Sequence, residues 1–94
     1  MGDYHLKDPG AALDYRIDWG GVLADGMTLV SSAWSVEPDE AGGLAADRGA
    51  LTGAAAVTRL SGGVAGHVYR LCNRVTFSDG SADERTLVLR VEER

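Results

Sequence analysis

Cysteine is nearly absent from this chain of 94 residues, with Cys72 as its single copy. A disulfide within the chain therefore cannot form, metal sites built from several thiolates are excluded, and nothing indicates an oxidising compartment. Proline is also scarce, with two copies against thirteen glycines. That balance indicates short elements joined by many turns.

Long apolar runs and a surplus of positive charge are missing as well. No window approaches the ~20 apolar residues of a membrane helix, and the first residues lack the charged start and apolar core of a secretion signal. We therefore expect a soluble protein without a secretion signal or a membrane partner. The net charge of −5 repels phosphate at long range, so nucleic acid is not an expected partner either.

The composition that remains is globular, with 45% hydrophobic and 24% charged residues, and the length suits one domain with a single modest core. Residues 1–11 mix charges with Pro9-Gly10, a pair that favours a turn or an extended segment with little to bury. We therefore predict an N-terminal arm over residues 1–11 and one compact domain over residues 12–94.

The stretch LDYRIDW, residues 13–19, alternates apolar and polar side chains. A period of two is typical of a half-buried strand, which we predict over about residues 12–19. The carboxylates of Asp14 and Asp18 would lie roughly 13 Å apart on such a strand, too far for one cation to bridge. Arg16 lies between them and is expected to neutralise them, so we interpret the polar row as the solvent face of the strand.

Two further strands are expected before the C-terminal part. One covers about residues 27–36, with a bulge near Ser31-Ser32 that switches its faces, and the other covers residues 54–60. Residues 37–53 between them are rich in turns, and GLAADRGAL fits either a helical turn or a short strand with a loop. The apolar anchors expected in this segment are Leu44 and Leu51.

The C-terminal part, HVYRLCNRVTFSDGSADERTLVLRVEER, has two alternating runs on either side of Asp79-Gly80 and predicts an antiparallel hairpin. A two-residue loop would mix its polar and apolar faces. A three-residue loop, Ser78-Asp79-Gly80 with Gly80 in the left-handed conformation, gives a nearly clean core face. The pairs predicted by this register are Tyr69 with Leu89, Leu71 with Leu87, and Arg74 with Glu84.

Five or more short strands, frequent turns and no segment suited to a long helix favour an all-β protein. The fold class we predict is an immunoglobulin-like antiparallel β-sandwich with an extended N-terminal arm. Because no disulfide can join the sheets, packing of Trp19, Trp34, Tyr69, leucines and valines must hold them together.

Candidate catalytic groups are isolated in the sequence. His5 lies in the arm and His67 opens a strand, and neither belongs to a motif that would pair it with a nucleophile and an orienting carboxylate. Cys72 alternates onto the face of Arg70 and Arg74, whose charges would lower the pKa of its thiol, but a half-buried strand residue is the commoner role. We predict no catalytic residue and no enzyme activity.

Ligand-binding motifs are equally weak. The acidic cluster of Glu37, Asp39 and Glu40 lacks the ordered spacing of a calcium loop, so we interpret these residues as solvated loop charges. SGGVAG lacks the Lys-Ser/Thr pair and the helix of a phosphate loop. Trp19 and Trp34 could form a platform for stacking sugars, but tryptophans on alternating strands are more often core residues. We predict no cofactor and no metal site.

Three segments matter through their order along the chain, and they are LKDPGAALDYRIDWGGVLADGMTLVSSAWSV, LSGGVAGHVYRLCNRVTFSDG and DERTLVLRVEER. Together they resemble a family of small structural proteins of tailed bacteriophages, described as fibre-tail adaptor or related virion proteins. The resemblance covers most of the chain and is weakest at about residues 38–56. It implies a non-enzymatic sandwich subunit of the virion, assembled in the cytoplasm of the bacterial host, that joins tail or neck proteins to fibre proteins.

An adaptor of this kind needs surfaces for its neighbours, and copies in a symmetric assembly can share weak contacts through avidity. We expect those contacts in the arm and in two glycine-rich loops, because these segments have little ability to pack within an isolated domain. The residues expected to contact other virion proteins are Tyr4, His5, Leu6, Lys7, Asp8, Pro9, Gly20, Gly21, Gly62 and Gly63.

Two alternative functions stay open at this point. A capsid decoration or head-fibre protein can use the same sandwich. A carbohydrate-binding or cell-surface-binding module would instead expose Trp19 or Trp34, whereas the adaptor hypothesis predicts that both indoles are mostly buried.

Overall fold

The computed structural model describes residues 3–93, with side chains from residue 5 onwards. The described chain forms eight strands and one 3-10 turn over Gly20–Val22. The strands are β1 (Asp3–Lys7), β2 (Leu13–Asp18), β3 (Leu29–Glu37), β4 (Leu44–Ala46), β5 (Ala50–Thr52), β6 (Ala55–Gly62), β7 (Val68–Phe77) and β8 (Ala82–Val91).

The strands form two sheets packed face to face. Sheet A has the order β1-β8-β7-β3, and sheet B has the order β2-β6-β4, with β5 also paired to β6. The predicted all-β sandwich is therefore confirmed, and its immunoglobulin-like topology stays a prediction. One pair departs from the antiparallel rule, because β1 runs parallel to β8.

The C-terminal hairpin has the predicted register. Tyr69 pairs with Leu89, Leu71 with Leu87, and Arg74 with Glu84. The loop has three residues and Gly80 has a φ of +90°. The alternating run thus places one row in the core, since all of Tyr69, Leu71, Leu87 and Leu89 are buried.

The central part of the chain confirms the predicted bulge in β3 and decides between the two structures considered for GLAADRGAL. The register of β3 against β7 shifts between Leu29 and Ser31, so the expected bulge is present. The segment GLAADRGAL forms the short strands β4 and β5 and no helical turn. Its two leucines differ, since Leu44 is buried in the core and Leu51 is half-buried against it.

The core consists of two clusters between the sheets. One contains Leu44, Leu60, Tyr69 and the leucines of the hairpin, and the other contains Ile17, Trp19, Val75 and Phe77. The half-buried Trp34 packs against both clusters. Asn73 is buried beside them, where its side chain accepts a hydrogen bond from the Trp19 indole at 2.9 Å and donates one to Ser32 Oγ at 2.9 Å.

The N-terminal segment corrects one expectation. We predicted an arm over residues 1–11 with little to bury, but residues 3–7 form the edge strand β1 of sheet A and Lys7 is only 1% exposed. The physical reason is that β8 offers a free edge that β1 pairs with, while the aliphatic stem of Lys7 is covered by the sandwich. Residues 3–7 are extended, but they are part of the sheet, and residues 1 and 2 of the predicted arm lie outside the described residues.

Candidate functional site

The polar row of β2 is a solvent face, as the alternation indicates. Asp14, Arg16 and Asp18 are all exposed, while Ile17 is buried. The partner of Asp14 differs from the expected one: Asp14 lies directly opposite Arg59 of β6, and their side chains form an ion pair at 3.0 Å. The alternation of β2 gave no indication of this pair, because Arg59 lies 45 positions from Asp14 along the chain.

His5 and Cys72, two of the groups with catalytic potential, have different neighbours. The His5 ring packs edge-on against Tyr15 at 5.3 Å between ring centroids. Cys72 donates a hydrogen bond to Glu84 at 3.2 Å, and burial raises the pKa of its thiol. Thus the thiol beside Arg70 and Arg74 is less acidic than an ordinary cysteine. Across the residues that the structure describes, no group of three His, Cys, Asp or Glu side chains is placed to hold a metal ion.

The tryptophans are poorly placed to stack on a sugar. Trp19 is 1% exposed, and its ring contacts Phe77 edge-on and lies under the Arg85 guanidinium at 4.7 Å. Trp34 is half-buried, and its indole nitrogen is buried inside the protein. Both indoles therefore serve mainly as core groups.

One end of the sandwich, which we call the Lys7 end, brings the N-terminal strand to a glycine loop. The Lys7 ammonium donates hydrogen bonds to the Gly62 carbonyl at 2.7 Å and to the Asp8 carbonyl at 2.9 Å. Burial lowers the pKa of Lys7, and the nearby Asp8 opposes that shift. Two predicted contact segments, residues 5–9 and Gly62-Gly63, are thus joined at this end.

Gly63 is needed at the Lys7 end because the backbone passes close to β8. Its φ of +112° lies in the left-handed region, and a Cβ there would be 2.6 Å from Val91 Cγ2. A larger residue would meet both a strained backbone and a filled space. The sequence pattern showed only a turn at this position.

The Lys7 end also contains a hydrogen-bonded network that the sequence did not indicate, formed by Glu40, His67 and Tyr69. The Tyr69 hydroxyl donates to the Glu40 carboxylate at 2.5 Å and accepts from the Val64 backbone N–H at 3.0 Å. His67 Nδ1 lies 3.0 Å from the same carboxylate oxygen. The network joins the loop after β3 to the loop before β7.

The same network shifts the pKa values of Glu40 and Tyr69. The hydrogen bond from Tyr69, followed by that from His67, holds the pKa of Glu40 below its ordinary value. Burial, reinforced by the Glu40 carboxylate, raises the pKa of the Tyr69 hydroxyl. Glu40 was interpreted from sequence as a solvated loop charge, because its partners are 27 and 29 residues away.

The opposite end, which we call the hairpin end, holds Gly20-Gly21 and the β7–β8 turn. The Asp18 carboxylate accepts a hydrogen bond from the Gly20 N–H at 2.8 Å, and the Trp19 N–H donates to the Ala54 carbonyl at 2.8 Å. Ala54 precedes β6, whereas Gly62 is its last residue. The predicted contact residues therefore lie at two opposite ends of one strand.

Exposure also differs among the predicted contact residues. Leu6 is 45% exposed and Gly20 and Gly21 are exposed, whereas Lys7, Gly62 and Gly63 are buried or half-buried. The side chain of Tyr4 lies outside the described residues. Contact at these positions stays a prediction, and of the two glycine pairs only Gly20-Gly21 presents an open surface.

A groove lies where β3 ends, beside the outer face of sheet A. It has a volume of about 780 Å³ and is formed by residues 35–39 together with Val68 and Arg70. Val68 is 45% exposed within it. Among the described residues, none forms a helix that is long and apolar enough to cross a membrane.

The sequence that forms these two ends also matches the model of a known family. A family model described as podophage GP4 fiber-tail adaptor protein gp77 matches residues 7–90. The matched range begins at the buried Lys7 and ends within β8, so it contains both ends of the sandwich. A comparison with curated proteins gives no match.

Proposed function

The chain belongs to the podophage GP4 fiber-tail adaptor family, and we propose that it is a non-enzymatic structural subunit of the virion that joins fibre proteins to the tail or neck. The family match over residues 7–90 carries this proposal. The expectation from the three sequence segments and the family model agree on a phage fibre-tail adaptor.

The shape of the molecule supports an adaptor role. The described chain measures 44 × 25 × 20 Å, so its two ends are well separated. Backbone hydrogen bonds and buried side chains run between these ends through β6 and the hairpin, which makes the sandwich a stiff body. Such a body can hold one neighbour at each end at a fixed distance.

We propose contacts with other virion proteins at both ends. At the Lys7 end they involve Leu6, Asp8 and Pro9, with Lys7, Gly62 and Gly63 holding the surface in shape. At the hairpin end they involve Gly20 and Gly21. Tyr4 and His5 complete the proposed set, and multiple copies in a symmetric assembly would strengthen weak contacts through avidity.

The test is reconstitution with the purified fibre and tail proteins of the same phage. We expect the fibre protein to be retained on immobilised tail protein only when this chain is added, and particles assembled without the chain to lack fibres. Retention of fibres on particles without the chain would overturn the proposal.

Imaging of labelled particles separates the alternatives. Label at the tail or neck supports the adaptor role, while label spread over the capsid would favour the decoration or head-fibre role. Quenching of tryptophan fluorescence tests the carbohydrate-binding role, and the burial of Trp19 leads us to expect none on addition of glycans.

A further inference from the structure

The free strand edges of the two sheets differ in their protection. An edge exposes unpaired N–H and C=O groups, and it is protected when the strand is short, charged or has a charged side chain pointing inward. In the part of the chain that the structure describes, β4 and β5 have three residues each and β2 carries three charged residues. β1 has five residues and the buried Lys7.

β3 is the edge strand without these protections. Its nine residues, LVSSAWSVE, contain no proline and a single charge, at the terminal Glu37. Its bulge lies near the start, so Ser31–Glu37 run in continuous register with β7 on one side, and β3 is the last strand of sheet A on the other. A regular free edge of this kind is complementary to another extended backbone.

We propose that the edge of β3 binds an extended segment of a different virion protein, which adds a strand to sheet A. The segment carries a bulky apolar residue beside Ser35 and a basic residue beside Glu37. The inference rests on the proposed adaptor function and identifies the edge of β3 as one of the binding surfaces that this function needs.

The outer face of β3 determines which side chains fit. Ala33, Ser35 and Glu37 lie opposite Arg74, Cys72 and Arg70 of β7, and so share the outer face of sheet A with them. The first two side chains are small, and they leave room above the strand. The groove of about 780 Å³ lies beside Ser35, where Val68 supplies an apolar floor for a bulky side chain from the incoming strand.

Charge favours a different protein over a second copy of this chain. Where β3 ends, the exposed Glu37 and Asp39 outnumber the one basic residue of the groove, Arg70, and the whole chain carries a net charge of −5. A second copy would bring the same negative charge to the contact, whereas a basic segment would be attracted to it.

The test compares two double variants with the same change in charge. Ala33→Lys with Ser35→Lys fills the outer face of β3 and places positive charge beside the incoming basic residue. Ala45→Lys with Thr52→Lys makes the matched change at exposed positions of β4 and β5. Thermal unfolding first establishes that both variants fold.

Binding is measured with the purified fibre and tail proteins of the same phage. We expect the β3 variant to bind one of them at least about tenfold more weakly than the wild type, and the β4–β5 variant to stay within about twofold. Hydrogen exchange on the wild-type complex gives a measurement independent of the variants, and the backbone amides of residues 31–37 should exchange more slowly when the partner is bound.

The outcomes separate this inference from the proposed function. The inference is overturned if the wild type binds fibre and tail proteins, hydrogen exchange in β3 stays unchanged on binding, and both variants bind with equal affinity. In that case the adaptor function stands. If the wild type binds neither protein, both fail. A dimer of the chain alone that the β3 variant dissociates would show that the occupant is a second copy, which also overturns the inference.

Discussion

The β7–β8 turn at the hairpin end is formed by bonds between nearby residues, although its Ser78 also bonds to Thr28, 50 positions away, whereas the Lys7 contact at the opposite end depends on a long-range bond. At the hairpin end, the β7–β8 turn is closed locally, with the Gly80 N–H bonded to the Phe77 carbonyl at 2.9 Å and the Ser81 N–H to the Asp79 carboxylate at 2.9 Å. At the Lys7 end, the bond from Lys7 to Gly62 joins residues 55 positions apart. The first kind can be predicted from adjacent residues, and the second requires the assembled fold.

The difference between the ends should appear most strongly in two glycine substitutions. Gly63→Ala combines a left-handed backbone with a Cβ 2.6 Å from Val91 Cγ2, so we expect it to lower the free energy of unfolding by about 2–4 kcal/mol. Gly80→Ala has the left-handed backbone and no atom within 4 Å of its Cβ, so about 1–2 kcal/mol is expected. Denaturant unfolding of both variants measures the losses.

Equal losses in the two glycine variants would contradict this comparison. They would show that the backbone conformation dominates at Gly63 and that Val91 moves aside at little cost.

The second prediction concerns the buried ammonium. Lys7→Met keeps the aliphatic stem but leaves the Gly62 carbonyl without its donor, so we expect a loss of about 1–2 kcal/mol in the free energy of unfolding. Arg59→Met is the control, because Arg59 forms an exposed ion pair, and its change should stay within about 0.5 kcal/mol. A Lys7→Met variant as stable as the wild type would mean that desolvation of the ammonium cancels its hydrogen bonds.

A smaller effect is expected from the tyrosine network. Tyr69→Phe removes the hydroxyl that bonds to Glu40 and Val64, and the expected loss in the free energy of unfolding is about 1 kcal/mol. Ser81→Ala removes an exposed hydroxyl at the hairpin turn, and we expect a change within about 0.5 kcal/mol. Thermal unfolding at neutral pH compares the two variants. A larger loss of stability in Ser81→Ala would show that the hydrogen bonds at the hairpin end contribute more to stability than those at the Lys7 end.

The smallest effect depends on pH. Hydrogen bonds from Tyr69 and His67 lower the pKa of folded Glu40, so the stability that they supply is full above the ordinary pKa of about 4.5 and is lost as the pH falls through the lowered value. The stability advantage of the wild type over Glu40→Gln should therefore shrink on acidification. Unfolding measured across acidic pH tests this.

A direct titration of the carboxyl group complements the unfolding experiment. The NMR titration of Glu40 should have its midpoint below 4.5 in the wild type and move upward in Tyr69→Phe. If Tyr69→Phe leaves the midpoint unchanged, the Tyr69 hydroxyl is not the main cause of the lowered pKa of Glu40.

Much of the C-terminal hairpin was predictable because its signals are local. The alternation on both sides of Ser78-Asp79-Gly80 allows a single register that buries one row, and the structure has that register. Buried Trp19 and the bulge in β3 followed from the same kind of pattern.

The candidate surfaces were less predictable, because their residues meet only after the strands are placed. The arm was expected to pack poorly, yet Lys7 is buried by its position against Gly62. Glu40 was interpreted as a solvated charge, yet it binds Tyr69 and His67. The edge of β3 is exposed because β3 is the last strand of sheet A, and no pattern of neighbouring residues indicates the order of strands in a sheet.

The sequence by itself determined strands β2, β3 and β6, the turn at Gly80 and the hairpin register, because each depends on residues close together in the chain, and its composition determined the acidic charge of the protein. The tertiary structure alone decided that β1 joins β8, that Lys7 reaches Gly62 and that β3 lies at an edge of sheet A. The physical reason is that a period of two assigns a face to each side chain of a strand, while the neighbour of that strand is chosen by packing across the whole core.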